Sequence, residues 1–81
     1  MKLINKNNNH EINDIYAMEI ITDFVTYSLY ENHKDITLLL NSAKILHIEQ
    51  NGTKNILCSV NNGIGKFENN IFYYLSCETT P

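Results

Sequence analysis

Arginine and tryptophan are absent from this 81-residue chain, alanine occurs twice and proline once. Without arginine, the bidentate reading of guanine by a guanidinium fork is closed to it. Its six lysines (Lys2, Lys6, Lys34, Lys44, Lys54 and Lys66) are scattered, and nine acidic residues bring the net charge to −3. A nucleic-acid binder normally shows a basic stripe, because neutralising phosphates supplies much of its affinity. The longest apolar runs are a few residues, far short of the roughly 20 that span a bilayer as a helix. The N-terminal stretch passes from two lysines into Asn7-Asn8-Asn9 instead of an apolar signal core, so the expected compartment is the cytoplasm.

Two cysteines, Cys58 and Cys77, are too few for a disulfide framework. They read first as reduced, small, buried hydrophobes. A disulfide across a hairpin is the competing reading. With His10, His33 and His47 they show none of the close paired spacing of a zinc site, so no metal or other cofactor is expected. Cys58 or Cys77 beside His47 is the one imaginable nucleophile–base dyad, and nothing nearby would orient the base. Gly63-Ile64-Gly65 is a lone G-x-G with no helix after it to hold an anion, and reads as a turn. The expectation is a protein that is not an enzyme.

What the chain does have is 13 asparagines and 11 isoleucines. Asn, Ile, Lys, Tyr and Phe make up 38 of the 81 residues, the mark of an A/T-rich coding sequence such as that of a low-GC bacterium or its phage. The 43% hydrophobic content suits one small globular domain over 1–81 with a thin core.

Along the chain, Lys2 to Asn5 reads as a short strand, followed by a polar loop ending in Asn13-Asp14. At 100° per residue, Glu19, Thr22, Asp23, Thr26 and Tyr30 fall on one polar stripe, with Ala17, Met18, Ile20, Ile21, Phe24, Val25 and Leu29 around the rest of the wheel. This spacing predicts an amphipathic helix over about 14–31. Propensity alone favours strands at 20–30, but period 2 mixes polar and apolar residues on both faces there. Ile36 to Ser42 fits a short helix or a buried strand. After Ala43 the pattern is antiparallel: a strand to Glu49, a type I′ hairpin turn at Asn51-Gly52, a return strand from Asn55 to Val60, and a turn at Asn61-Asn62-Gly63. A short strand from Gly65 to Glu68, a turn at Asn69-Asn70 and a last strand from Ile71 to Cys77 complete it. Aromatic residues on both faces of that last strand make it central or covered on both sides. Glu78 to Pro81 reads as a frayed tail.

The expected fold is therefore α+β: one long amphipathic helix packed on an antiparallel meander of three to five strands, a two-layer sandwich. Five tyrosines with no tryptophan suit a binding surface, since tyrosine buries area at low entropic cost and keeps a polar tip. Glu19, Asp23, Thr26 and Tyr30 on the helix ridge, with Tyr74 on the last strand, are the candidate partner-binding residues. An ordinary solvated face competes with that reading. The preferred function is a small non-enzymatic protein-binding domain that occludes a larger partner. Small acidic inhibitors of bacterial or phage origin, the immunity proteins and phage anti-defence proteins among them, fit that size and codon bias. The alternative is a nucleic-acid-binding regulator: with 36–48 helical, the order helix, helix, hairpin resembles the later part of a winged helix. A homodimer through a sheet edge or through the Phe72 and Tyr74 face is a third expectation.

Overall fold

The computed structural model describes residues 1–77, and over them the protein is built from strands alone. The strands are β1 (Lys2–Asn5), β2 (His10–Ile12), β3 (Ala17–Ile21), β4 (Thr26–Tyr30), β5 (Ile36–Ile48), β6 (Lys54–Glu68) and β7 (Ile71–Ser76). They form one seven-stranded sheet in the order β2-β1-β7-β6-β5-β3-β4. β1 runs parallel to β7, and every other pairing is antiparallel. The predicted tail Glu78–Pro81 lies outside the described residues.

The expected α+β sandwich is overturned, because no helix is present among these residues. The stretch read as a helix over 14–31 is the β3–β4 hairpin. Thr22 to Val25 forms its turn: the Thr22 N–H donates to the Val25 carbonyl at 2.9 Å, and the Thr22 hydroxyl accepts the N–H groups of Phe24 and Val25. On β3, Met18 and Ile20 point into the core; on β4, Leu29 is buried and Tyr27 half-buried on the same side. The turn resets the phase of alternation, so a single period laid across 17–30 finds polar residues on both faces of a strand. The β-branched and aromatic content of Ile20, Ile21, Val25, Tyr27 and Tyr30 is satisfied by the pleated surface that suits it.

Ile36 to Ser42 resolves as strand, the first half of β5. β5 and β6 form a long hairpin through the middle of the sheet. Its loop sits where Asn51-Gly52 was expected, with a different geometry from the expected type I′. The Gly52 N–H donates to Glu49 O, the Glu49 N–H donates to Thr53 O, and Gly52 alone carries positive φ, at 92°. That is a three-residue loop with glycine in the left-handed position. The type I′ geometry appears instead at Asn69-Asn70 between β6 and β7, with φ of 51° and 63°.

Asn61-Asn62-Gly63 is no turn. It lies inside β6, where Asn61 and Asn62 are both exposed opposite the equally exposed Asn41 and Ser42 of β5. Ser42 takes φ of 50°. Alternation restarts there, so Leu38 and Leu40 on one side of the break and Ala43 and Ile45 on the other enter one core. A straight 15-residue strand would run about 46 Å. The longest dimension of the molecule is 41 Å, so the ribbon bends.

Phe67, Phe72, Met18, Ile20 and Ile45 are fully enclosed in this core, and no polar or charged residue is buried among the described residues. Contacts at one end close the sheet over it. Met1 and Ile15 exchange two backbone bonds, at 2.8 and 3.0 Å. The Asn32 N–H donates to Asn70 Oδ1 at 2.6 Å. The His33 ring stands edge-on between Tyr30 and Phe67.

Candidate interaction surface

Of the residues expected to form a binding surface, Glu19, Thr26 and Tyr30 share the outer face of the β3–β4 hairpin, while Asp23 and Tyr74 lie elsewhere. Glu19 on β3 is mostly covered and reaches Lys54 Nζ at 3.4 Å, so its charge is engaged within the molecule. Asp23 sits in the β3–β4 turn, whose backbone N–H donates to Asn41 O. Thr26 and Tyr30 lie exposed on β4, on the face that also carries Glu19. Tyr74 is a core residue at 8% exposure, and Phe72 beside it is fully buried. The Phe72 and Tyr74 face is therefore no dimer surface. The helix–helix–hairpin order behind the winged-helix alternative is likewise missing, since 17–48 is strand and loop.

Nor does the imagined dyad assemble. His47 Nε2 accepts the Tyr16 N–H at 3.1 Å. Cys58 is half-buried opposite Ile45, with its thiol in contact with the Tyr74 hydroxyl. Cys77 is exposed and level with Asn62, whose carbonyl accepts its N–H. Cys58 stands four residues further along β6, about 13 Å away by strand rise, whereas a disulfide needs Cα atoms within roughly 7 Å. Among the described residues no three His, Cys, Asp or Glu side chains gather to hold a metal ion. Two open clefts of about 350 and 290 Å³ flank Asn69 and Asn70, the first walled also by Met1, Lys2, Asp14 and Ile71 and the second by Asn32, His33 and Asp35.

Burial holds the Tyr74 phenol well above its ordinary value of 10.0, reinforced by Cys58; burial also pushes the Cys58 thiol up from 9.0. The folded state thus keeps two protons that the unfolded chain gives up. Their contribution is fully present below about pH 9 and is lost as pH rises. Urea denaturation at about pH 7 and about pH 10.5 should show a clear alkaline loss of stability, and Tyr74→Phe should flatten that slope. An unchanged slope would mean the phenol is not shielded.

The feature that sequence reasoning missed lies on the other side of the sheet. Leu39 of β5 opposes Ile64 of β6, which opposes Leu75 of β7. This row crosses three adjacent strands on the outer face, with 75%, 48% and 46% of each residue exposed. The next row is Thr37, Lys66 and Tyr73, and Tyr73 abuts Ile4 of β1. Lys6 Nζ lies 5.3 Å from the centre of the Tyr73 ring, and Lys66 pairs with Glu68 at 3.0 Å. Exposed Lys2 and Lys6 flank Ile4 on the β1 side of the row, and Glu11 of β2 lies opposite Ile4 on the same face, so the charges there are mixed. On the β3 side the Thr22–Val25 turn meets β5 at Asn41, next to Leu39, and carries Phe24 at 82% exposure.

Comparison with protein families, with curated proteins and with solved structures finds no match to this chain. No helix of the described residues is long and apolar enough to cross a membrane.

Proposed function

We propose that this is a non-enzymatic protein-binding domain whose docking surface is the outer face of β5, β6 and β7. The observation that carries the reading is the solvent-exposed row of Leu39, Ile64 and Leu75. Scattered apolar residues on a surface are ordinary, but a contiguous row across three strands marks an interaction site. The partner presents an apolar segment complementary to that row. A flat face of this kind acts by covering a surface of its partner, which is the chemistry of an inhibitor or immunity-type protein. A reducing cytoplasm suits two thiols that the strand register keeps apart.

Selection of displayed random peptides on the immobilised protein tests this. Enriched peptides should share apolar anchors. Leu39→Lys should weaken them by about 30-fold, the scale of a central interface residue worth roughly 2 kcal/mol. No enrichment, or binding that survives both Leu39→Lys and Ile64→Lys, would overturn the proposal.

A further inference from the structure

The two edges of the sheet are not alike. β2 is three residues long and carries His10 and Glu11, which is how natural sheets discourage unwanted pairing. β4 reads Thr26-Tyr27-Ser28-Leu29-Tyr30, with no charge, no proline and no bulge. No strand lies beyond it among the described residues.

The register fixes which of its backbone groups are open. Thr22 and Val25 form a hydrogen-bonded pair at the turn. Bonded and non-bonded pairs alternate along an antiparallel ladder, so Tyr27 and Leu29 direct their backbone groups at β3. Those of Thr26, Ser28 and Tyr30 point away from the sheet. Asp23 supports the same phase, since its N–H, like those of the odd-numbered β3 residues, is directed at β5 and reaches Asn41 O. The Tyr30 carbonyl also takes the His33 N–H.

We infer that β4 pairs with β4 of a second copy of this chain, antiparallel about a two-fold axis at Ser28. In that register Ser28 faces Ser28 of the second copy, and Thr26 faces its Tyr30. All three outward-pointing residues then meet outward-pointing partners, giving about four backbone bonds, with the two Tyr30 carbonyls kept by His33 within each copy. No charged residue falls within the paired strands. On the inner face, half-buried Tyr27 comes opposite Leu29 of the second copy, so the apolar layer continues across the axis. On the outer face, Tyr30, 57% exposed, lies across the second Thr26. The uncharged, self-complementary strand is what selects a second copy over a charged foreign segment. This edge is separate from the row of Leu39, Ile64 and Leu75.

Sedimentation velocity across a concentration series is the test, with Ser28→Lys and Ser28→Glu as variants. The Ser28 side chain lies across from Glu19 on the outer face, so Ser28→Glu meets a like charge within the chain as well, and circular dichroism should show that each variant keeps the strand spectrum. The wild type should shift from monomer to dimer as concentration rises. Each variant alone should stay monomeric, because like charges meet at the axis, and an equimolar mixture of the two should dimerise again. A wild type that remains monomeric at millimolar concentration would overturn the inference, as would variants that dimerise alone. Dimerisation abolished by Leu39→Lys and untouched at Ser28 would also overturn it, by moving self-association to the outer face.

Discussion

Replacing Phe72 with alanine is expected to cost about 3–5 kcal/mol, the range for removing a buried aromatic ring. Phe72 is fully enclosed, opposes Leu3 on β1 and Phe67 on β6, and lies across Gly65. It is the side chain through which the parallel β1–β7 pair and the β6–β7 hairpin share one core. A domain of this length holds roughly 4–12 kcal/mol in total, so one ring represents a large part of what keeps it folded. Thermal unfolding followed by circular dichroism should show the midpoint falling by about 12–40 °C, at roughly 4–8 °C per kcal/mol for small domains. Leu39→Ala, on the exposed row, should stay within about 0.5 kcal/mol of wild type. A loss below about 1 kcal/mol for Phe72→Ala would contradict the packing described above.

Parts of the fold were legible in the sequence where turns carry their own chemistry, although the same residue types at Asn61-Asn62-Gly63 lie inside β6. Lys2–Asn5, the hairpin at Asn51-Gly52, the turn at Asn69-Asn70 and the interior position of β7 could all be read directly. Asparagine and glycine announce these turns because they tolerate positive φ. The β3–β4 turn carries no such mark: its Thr-Asp-Phe-Val bends through the Thr22 hydroxyl, and without a visible break the helical period won. The same oversight changed the setting of the proposed ridge: Glu19, Thr26 and Tyr30 share the outer face of a hairpin instead of a helix stripe, with Asp23 in its turn. Leu39, Ile64 and Leu75 gave a signal that went unused. Once Ile36 to Ser42 is a strand, Leu38 and Leu40 cannot be buried without turning Leu39 outward. What no local pattern could show was that Leu39 and Ile64 share a register, because that depends on a ribbon paired over its whole length and on a bulge between Ile45 and Leu46.

Gly65→Ala should be a strongly damaging single-methyl change. In an ordinary strand interior, alanine for glycine stabilises by roughly 0.5–1 kcal/mol, because glycine loses the most conformational freedom on folding. Here the sign reverses. Gly65 sits between Leu38 and Tyr74, and a Cβ on it would occupy the space of the Phe72 ring. That ring is enclosed on all sides and cannot swing away, so the overpacking penalty of about 1–3 kcal/mol applies at its upper end. Phe72→Leu should relieve part of it, and the double variant should show a favourable coupling of about 1 kcal/mol or more in urea titrations. Gly63→Ala provides the contrast: its Cβ would meet the Leu75 backbone carbonyl, which no substitution at Phe72 can move. If Phe72→Leu rescues both glycine variants equally, the ring is not what Gly65 accommodates. The Gly63-Ile64-Gly65 segment is then explained by alternation. Two positions without side chains let Phe72 and the β7 backbone close on the inner face, and the residue between them is forced outward, which puts Ile64 at the centre of the proposed docking row.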